Sequence, residues 1–265
     1  MSKWLIMFAG GWVISFTGMK NLRFLFERRR WMAPNYNGDA IPLGYGLVFW
    51  IALVWFVFCE PASVWLIGPS IIVSFAGWLD DRIGQSRMKG LRGHFGILWR
   101  EGRITTGMLK VWIIGSCAAG VAFLESDTVS SFITDVLLLA LSANFINLLD
   151  VRPGRALKGF WFLLLLCVTV GSVHDTEMPF FLYLFMCTIV AAPSDFSARA
   201  MLGDTGANLL GFLGGALCVY SLSPMVKWLI VAWLIILHVY TERVSLTTVI
   251  EQNALLRWID RWGRS

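Results

Sequence analysis

Nine apolar stretches follow one another along this 265-residue chain, at about 4–19, 44–59, 62–79, 104–123, 129–149, 159–173, 178–192, 206–222 and 225–241. A helix rises about 1.5 Å per residue, so about 20 apolar residues, with about 17 tolerated, cross the hydrocarbon layer of a bilayer. The backbone must satisfy its own hydrogen bonds there, which leaves helices as the structure such stretches can adopt. The recurrence therefore predicts an all-α, polytopic membrane bundle of about nine transmembrane helices. Composition agrees: 57% of residues are hydrophobic, 15% are charged and the mean hydropathy is +0.67, which excludes an ordinary soluble domain. The polar connections hold at most about two dozen residues, too few for a separate core, so residues 1–265 form one integral membrane domain.

The net charge of +5 raises the question of nucleic acid, but topology explains it better. With the N-terminus outside, the segments at the inner face carry Lys20, Arg23 and Arg28–Arg30, then seven basic residues over 80–110. Three more follow on 150–158, one on 193–205 and four on the tail 242–265. Twenty of the 22 Lys and Arg thus fall on one side, with only Lys3 and Lys227 opposite, as the positive-inside rule requires of short loops. No nucleic-acid partner is expected. Stretch 4–19 is followed by basic residues with no small-residue cleavage pattern, and reads as an anchor that stays rather than as a signal peptide. The five cysteines lie mostly in apolar runs without a C-x-x-C pair and suggest neither disulfides nor zinc. The tail "TTVIEQNALLRWIDRWGRS" is too polar to span. Its Val249, Ile250, Leu255, Leu256, Ile259 and Trp262 recur at helical spacing, which predicts an amphipathic cytoplasmic helix, lying on the inner surface or packed on the bundle.

Polar residues inside such stretches are costly and mark either helix–helix contacts or function. Asp80 and Asp81 end the third stretch; Asn144, Asn147 and Asp150 form an i, i+3, i+6 stripe ending the fifth; Asp204 opens the eighth. The topology puts all of them at the inner face. Taken singly, each is equally a solvated helix end, an interhelical amide or an N-cap. Together, carboxylates gathered at one face call for a cation. Oxygen donors without His or Cys select a hard ion such as Mg²⁺, held by carboxylates and substrate phosphates. Arg and Lys in the neighbouring loops, including Lys89, Arg92, Arg152 and Lys158, suit a phosphate-rich ligand.

"GWLDDRIG", "SANFINLLDVRPG" and "MLGDTGANLLG", with the loop "NYNGDAIPLGYG", resemble in order the motifs of the polyprenyl-phosphate N-acetylhexosamine-1-phosphate transferases, over residues 35 to about 215. The resemblance implies a helical membrane enzyme facing the cytoplasm. It would move a sugar-1-phosphate from a UDP-sugar to undecaprenyl phosphate with Mg²⁺, releasing UMP, in cell-envelope glycan synthesis. By motif, Asp204 with Asp81 would hold the metal, and Asp80, Asp81 and Asp150 would be catalytic. Asn144, Asn147, Lys89, Arg92, His94 and Arg152 would meet substrate. The partners would be the UDP-sugar, the polyprenyl phosphate and membrane lipid, with a homodimer left open. Three departures stand out, the first being a shorter chain with nine helices against the family's ten or more. Pro153 occupies the place of a motif Asp, and "TERVSLTTVIEQN" stands in place of a His-rich loop. They keep a second class of function in play: a non-catalytic relative that binds lipid phosphate or serves as a membrane assembly partner. A transporter fits less well, because no inverted repeat is visible.

Overall fold

The computed structural model describes residues 3–84, 105–172 and 177–264, and among them the chain is helical apart from turns and one two-stranded hairpin. α1 spans Lys3–Arg29, β1 Met32–Pro34, β2 Ala40–Pro42, α2 Leu47–Cys59 and α3 Val64–Ile83. α4 is Thr106–Glu125, α5 Val129–Leu149, α6 Arg155–Val170, α7 Met178–Phe196, α8 Gly203–Ser221 and α9 Pro224–Thr241. Two short helices close the chain, α10 Leu246–Gln252 and α11 Ala254–Arg261. Among the described residues four helices, α4, α5, α7 and α9, are long and apolar enough to cross a membrane.

Helix ends follow local chemistry. Thr105 caps α4 by accepting from the Met108 N–H, and Thr128 with Ser131 forms a reciprocal capping box at the start of α5. Three boundaries differ from the sequence expectation. α1 runs ten residues past the apolar stretch, because no Gly or Pro interrupts residues 20–29, and ends where Arg30 turns to φ 55°. The connection after it is not plain loop: Ala33 pairs with Ile41 in the antiparallel hairpin. The tail is two helices rather than one, because Asn253 leaves helical geometry and its Oδ1 accepts the Leu255 and Leu256 N–H groups at 3.0 Å.

α8 is the axis. All of its residues except Asp204 and Tyr220 are buried, as expected of a helix that is apolar or small on every side. α3 and α6 pack against it, and α5 lies backbone to backbone with it: a Cβ added at Gly211 would fall 2.4 Å from the Ser142 carbonyl oxygen. α9 is the opposite case, with only Val231 and Leu234 buried. Trp112, Phe58, Phe123 and Ile236 are among many large apolar side chains left on the outer surface. A contiguous apolar exterior of this kind marks a surface that does not face water.

Gly211→Leu should therefore destabilise the bundle by about 1–3 kcal/mol or more through overpacking against α5. Gly120→Ala in α4, where a Cβ meets nothing within 4 Å, should be neutral or slightly stabilising. Thermal unfolding of the two variants in one detergent checks the contrast.

Candidate functional site

The end of α3, the start of α4 and the start of α8 meet at one end of the bundle. Asp80, in the last turn of α3, accepts from Thr106 Oγ1 at 2.6 Å and from Lys110 Nζ at 2.8 Å. Thr106 and Lys110 are four residues apart, hence on one face of α4. Lys110 Nζ also contacts the Asp204 carboxylate, so a single ammonium bridges carboxylates 124 positions apart. All three side chains are largely buried. Removing one partner from such a cluster leaves an uncompensated charge, which costs far more than the intact pairing contributes.

Asp81 does something different from its neighbour. Its Oδ1 accepts the Asp204 N–H at 3.0 Å, and its Oδ2 accepts the Thr205 N–H at 3.0 Å and the Thr205 Oγ1 hydroxyl at 2.7 Å. Those N–H groups belong to the first turn of α8, which has no partners within its own helix, and the helix dipole favours a carboxylate there. Gly203 makes the approach feasible. It sits at φ 68°, and a Cβ on it would fall 2.6 Å from Asp81 Oδ2. Met201 and Leu202 are held from the other side: the Met201 N–H donates to the Pro42 carbonyl at 2.9 Å, and the Tyr45 N–H to the Met201 carbonyl at 3.0 Å. Asp204 is thus fixed between α3 and the hairpin.

Asp150 follows α5. It lines a small cleft with Asn35, Tyr36, Arg152, Pro153 and Asp195, among others. Burial pushes its carboxyl well above the usual carboxylate range, and the like charges of Asp195, Asp81 and Asp204 add to the rise, against the Gly203 N–H. A buried carboxyl so raised, in a cleft, is a candidate for proton transfer. Arg152 stacks on Tyr36, its guanidinium carbon 4.6 Å from the ring centroid. Asn144 and Asn147 are half-buried on α5 in the turns leading to Asp150. Lys89, Arg92 and His94 lie outside the described residues.

Several site residues carried no recognisable sequence signal. Lys110 reads from sequence as one more basic residue of the inner face, yet it is the cation of the cluster. Asp195, at the end of α7, is buried and accepts the Gly154 N–H at 2.8 Å. It brings a carboxylate to the Asp150 cleft, to which Pro153 adds none. Asn208, one turn into α8 from Asp204, is fully buried, and its amide has no hydrogen-bond partner among the described residues.

Among the described residues no group of three or more His, Cys, Asp or Glu side chains is placed to hold a metal ion. Asp80 and Asp204 nevertheless share one cation through oxygen, the donor type a hard divalent ion takes. The ammonium of Lys110 holds that position here, and Asp81 spends its oxygens on α8. No family model matches the chain, and no curated protein matches it in sequence.

Lys110→Ala should lower stability by about 3–5 kcal/mol by leaving two buried carboxylates unneutralised. Millimolar Mg²⁺ should restore part of that loss, with little effect on the unaltered chain. Thermal unfolding with and without Mg²⁺ reads both. No gain in the variant would mean that the two carboxylates do not take the ion.

Proposed function

We propose that the chain is a membrane phosphoglycosyltransferase. On this reading it transfers a sugar-1-phosphate from a UDP-sugar to a polyprenyl phosphate, in cell-envelope glycan synthesis, with Mg²⁺. The observation that carries the proposal is the meeting of Asp80, Lys110 and Asp204 at the start of α8, beside a cleft lined by Asp150 and Arg152. The resemblance of the three segments bearing Asp80–Asp81, Asn144–Asp150 and Asp204 supplies the substrate class.

In this reading all nine long helices cross the bilayer with the N-terminus outside, and the site faces the cytoplasm. That places it at the depth of a lipid phosphate. A phosphate oxygen of the lipid attacks the sugar-bearing phosphorus of the nucleotide sugar. The new P–O–P linkage forms as the bond to UMP breaks, and UMP leaves with the electron pair. Asp80 and Asp204 would hold Mg²⁺, which neutralises diphosphate charge when bound. Lys110, released from the two carboxylates, pairs with diphosphate oxygens. Asp150 takes the proton of the incoming lipid phosphate. Arg152 and the Asn144–Asn147 stripe orient the nucleotide, with Lys89, Arg92 and His94 as further substrate contacts. Asp81 keeps Asp204 in place through the first turn of α8.

A second reading has its own support. Lys110 already neutralises Asp80 and Asp204, and Asp81 is satisfied by α8, so the cluster is stable without a metal. A non-catalytic lipid-phosphate binder would look like this.

Purified protein incubated with UDP-sugars, undecaprenyl phosphate and Mg²⁺ should release UMP. Asp204→Asn should abolish the release, and Asp150→Asn should lower it at least a hundredfold. Tight, metal-independent binding of the lipid phosphate without UMP would favour the second reading. The topology is checked separately in a background without native cysteines. Cysteines placed at Asp127 and Ser223 should react with an impermeant maleimide from outside, and those at Ser197 and Ser245 only after the membrane is opened.

A further inference from the structure

The tail is fastened to the Asp150 loop by buried charges. Arg155, at the start of α6, is only 4% exposed. Its Nε donates to Asp260 Oδ1 at 2.6 Å, its Nη2 to Asp260 Oδ2 at 2.9 Å and its Nη1 to Thr247 Oγ1 at 2.8 Å. Asp260 is 8% exposed. The fork-on-carboxylate geometry makes this the directional kind of ion pair. Burial alone would raise the Asp260 carboxyl; hydrogen bonding and charge from Arg155, with Arg264 and Lys158, more than offset it and hold the group below its ordinary range. Lys158 Nζ donates to the Ile259 carbonyl at 3.0 Å and the Asp260 carbonyl at 2.8 Å, meeting acceptors that the end of α11 leaves free. Arg264 contacts the Asp260 carboxylate and donates from Nε to the Pro153 carbonyl at 2.8 Å.

One aromatic ring joins the two segments as well. Phe196, at the end of α7, lies between Gly154 of the loop and Gly263 of the tail. A Cβ at Gly154 would fall 2.7 Å from one edge of the ring, and a Cβ at Gly263 2.6 Å from the other. Both glycines have φ 77°, a conformation that a side chain would also strain. The stretch from Asp150 to Arg155, which carries Arg152, is therefore gripped from the tail at Pro153, Gly154 and Arg155.

The rest of α11 turns outward. Apart from Asp260 every residue of the helix is exposed, including Leu255, Leu256, Ile259 and Trp258, the last at 67%. Trp262 follows on the same exposed surface, and Arg257 and Arg261 lie among these side chains. Five large apolar side chains around one eight-residue helix are not a solvated face. With interleaved arginines they match the interfacial zone of an anionic bilayer, where Trp and Arg each find a favourable depth. The chain reaches α11 from α9 through the short α10, and the exposed side of α9 is equally apolar at Ile236 and Val239.

We propose that residues 246–264 are a strap. The Leu255–Trp258–Trp262 surface of α11 seats it on anionic lipid, and the Arg155–Asp260 pair bolts it to the 150–155 loop, so that lipid contact sets the placement of Asp150 and Arg152. Arg155 and Asp260 are positioning residues. The strap itself needs no transfer reaction; only its consequence for turnover rests on the reading above.

The test uses the full chain in nanodiscs. With Trp258→Cys carrying a bimane label, emission should be blue-shifted and quenched by brominated lipid in single-copy discs of phosphatidylglycerol, less so in phosphatidylcholine. Water-like emission would overturn the lipid seat. A blue shift confined to discs holding two copies would overturn it too, and would give the face to a second chain. By hydrogen exchange, Asp260→Asn should speed exchange over 150–158 and 246–264 at least tenfold while α3, α5 and α8 stay protected. Thr247→Val, a milder change should Asp260→Asn not fold, should speed the same segments by a smaller factor. Unchanged exchange over 150–158 in a folded variant would sink the coupling, whatever UMP release shows.

Discussion

The carboxylate of Asp81, set against the first turn of α8, is the contact on which the site's geometry depends. Three donors converge on it, two of them N–H groups that α8 cannot satisfy internally. Without it those amides lose their acceptor, and α3 keeps its hold on the start of α8 through the Ser74 hydroxyl on the Thr205 carbonyl and through the Lys110 bridge. Asp80 and Asp81 therefore divide the labour: Asp81 builds the turn, and Asp80 supplies charge to the space beside it.

That division also explains how like charges coexist in an apolar bundle. Isolated carboxylates there would cost several kcal/mol each. Asp80 and Asp204 share an ammonium, Asp81 leans on a helix N-terminus, and Asp195 accepts a backbone N–H from Gly154. Asp150 is held above the ordinary carboxylate range, because burial and three neighbouring acids act together on it. Each acid of the cluster thus has a charged or hydrogen-bonding partner, and Asp80 and Asp204 share theirs. An arriving phosphate or divalent ion would have to exchange with one of them.

Much of this was legible in the sequence, for a physical reason. Charges at the lip of an apolar run are expensive, so Asp80, Asp81 and Asp204 could be picked out, and helical spacing put Asn144, Asn147 and Asp150 on one stripe. Lys110 was not legible as a partner, since a lysine near a helix start on the basic side already has an explanation. The hairpin escaped because three-residue strands are too short to show alternation. The buried pairing of Arg155 with Asp260 spans 105 positions and could not be inferred from either residue's neighbours. The break in the tail did leave a trace: Asn253 ahead of "ALL" is a capping residue in the middle of an otherwise periodic run.

The same long spans bear on how the molecule matures. Asp81 reaches across 123 and 124 positions to α8, and Tyr45 across 156 to Met201. Neither link can form until the ribosome has passed residue 205, by which time α1 to α7 have already been made. Until then Asp80 has Thr106 and Lys110 of α4 as partners, while Asp81 lacks the α8 amides. A chain halted before that point would possess most of its helices and the Asp80–Lys110 half of its charge cluster, with the lysine still lacking its second carboxylate.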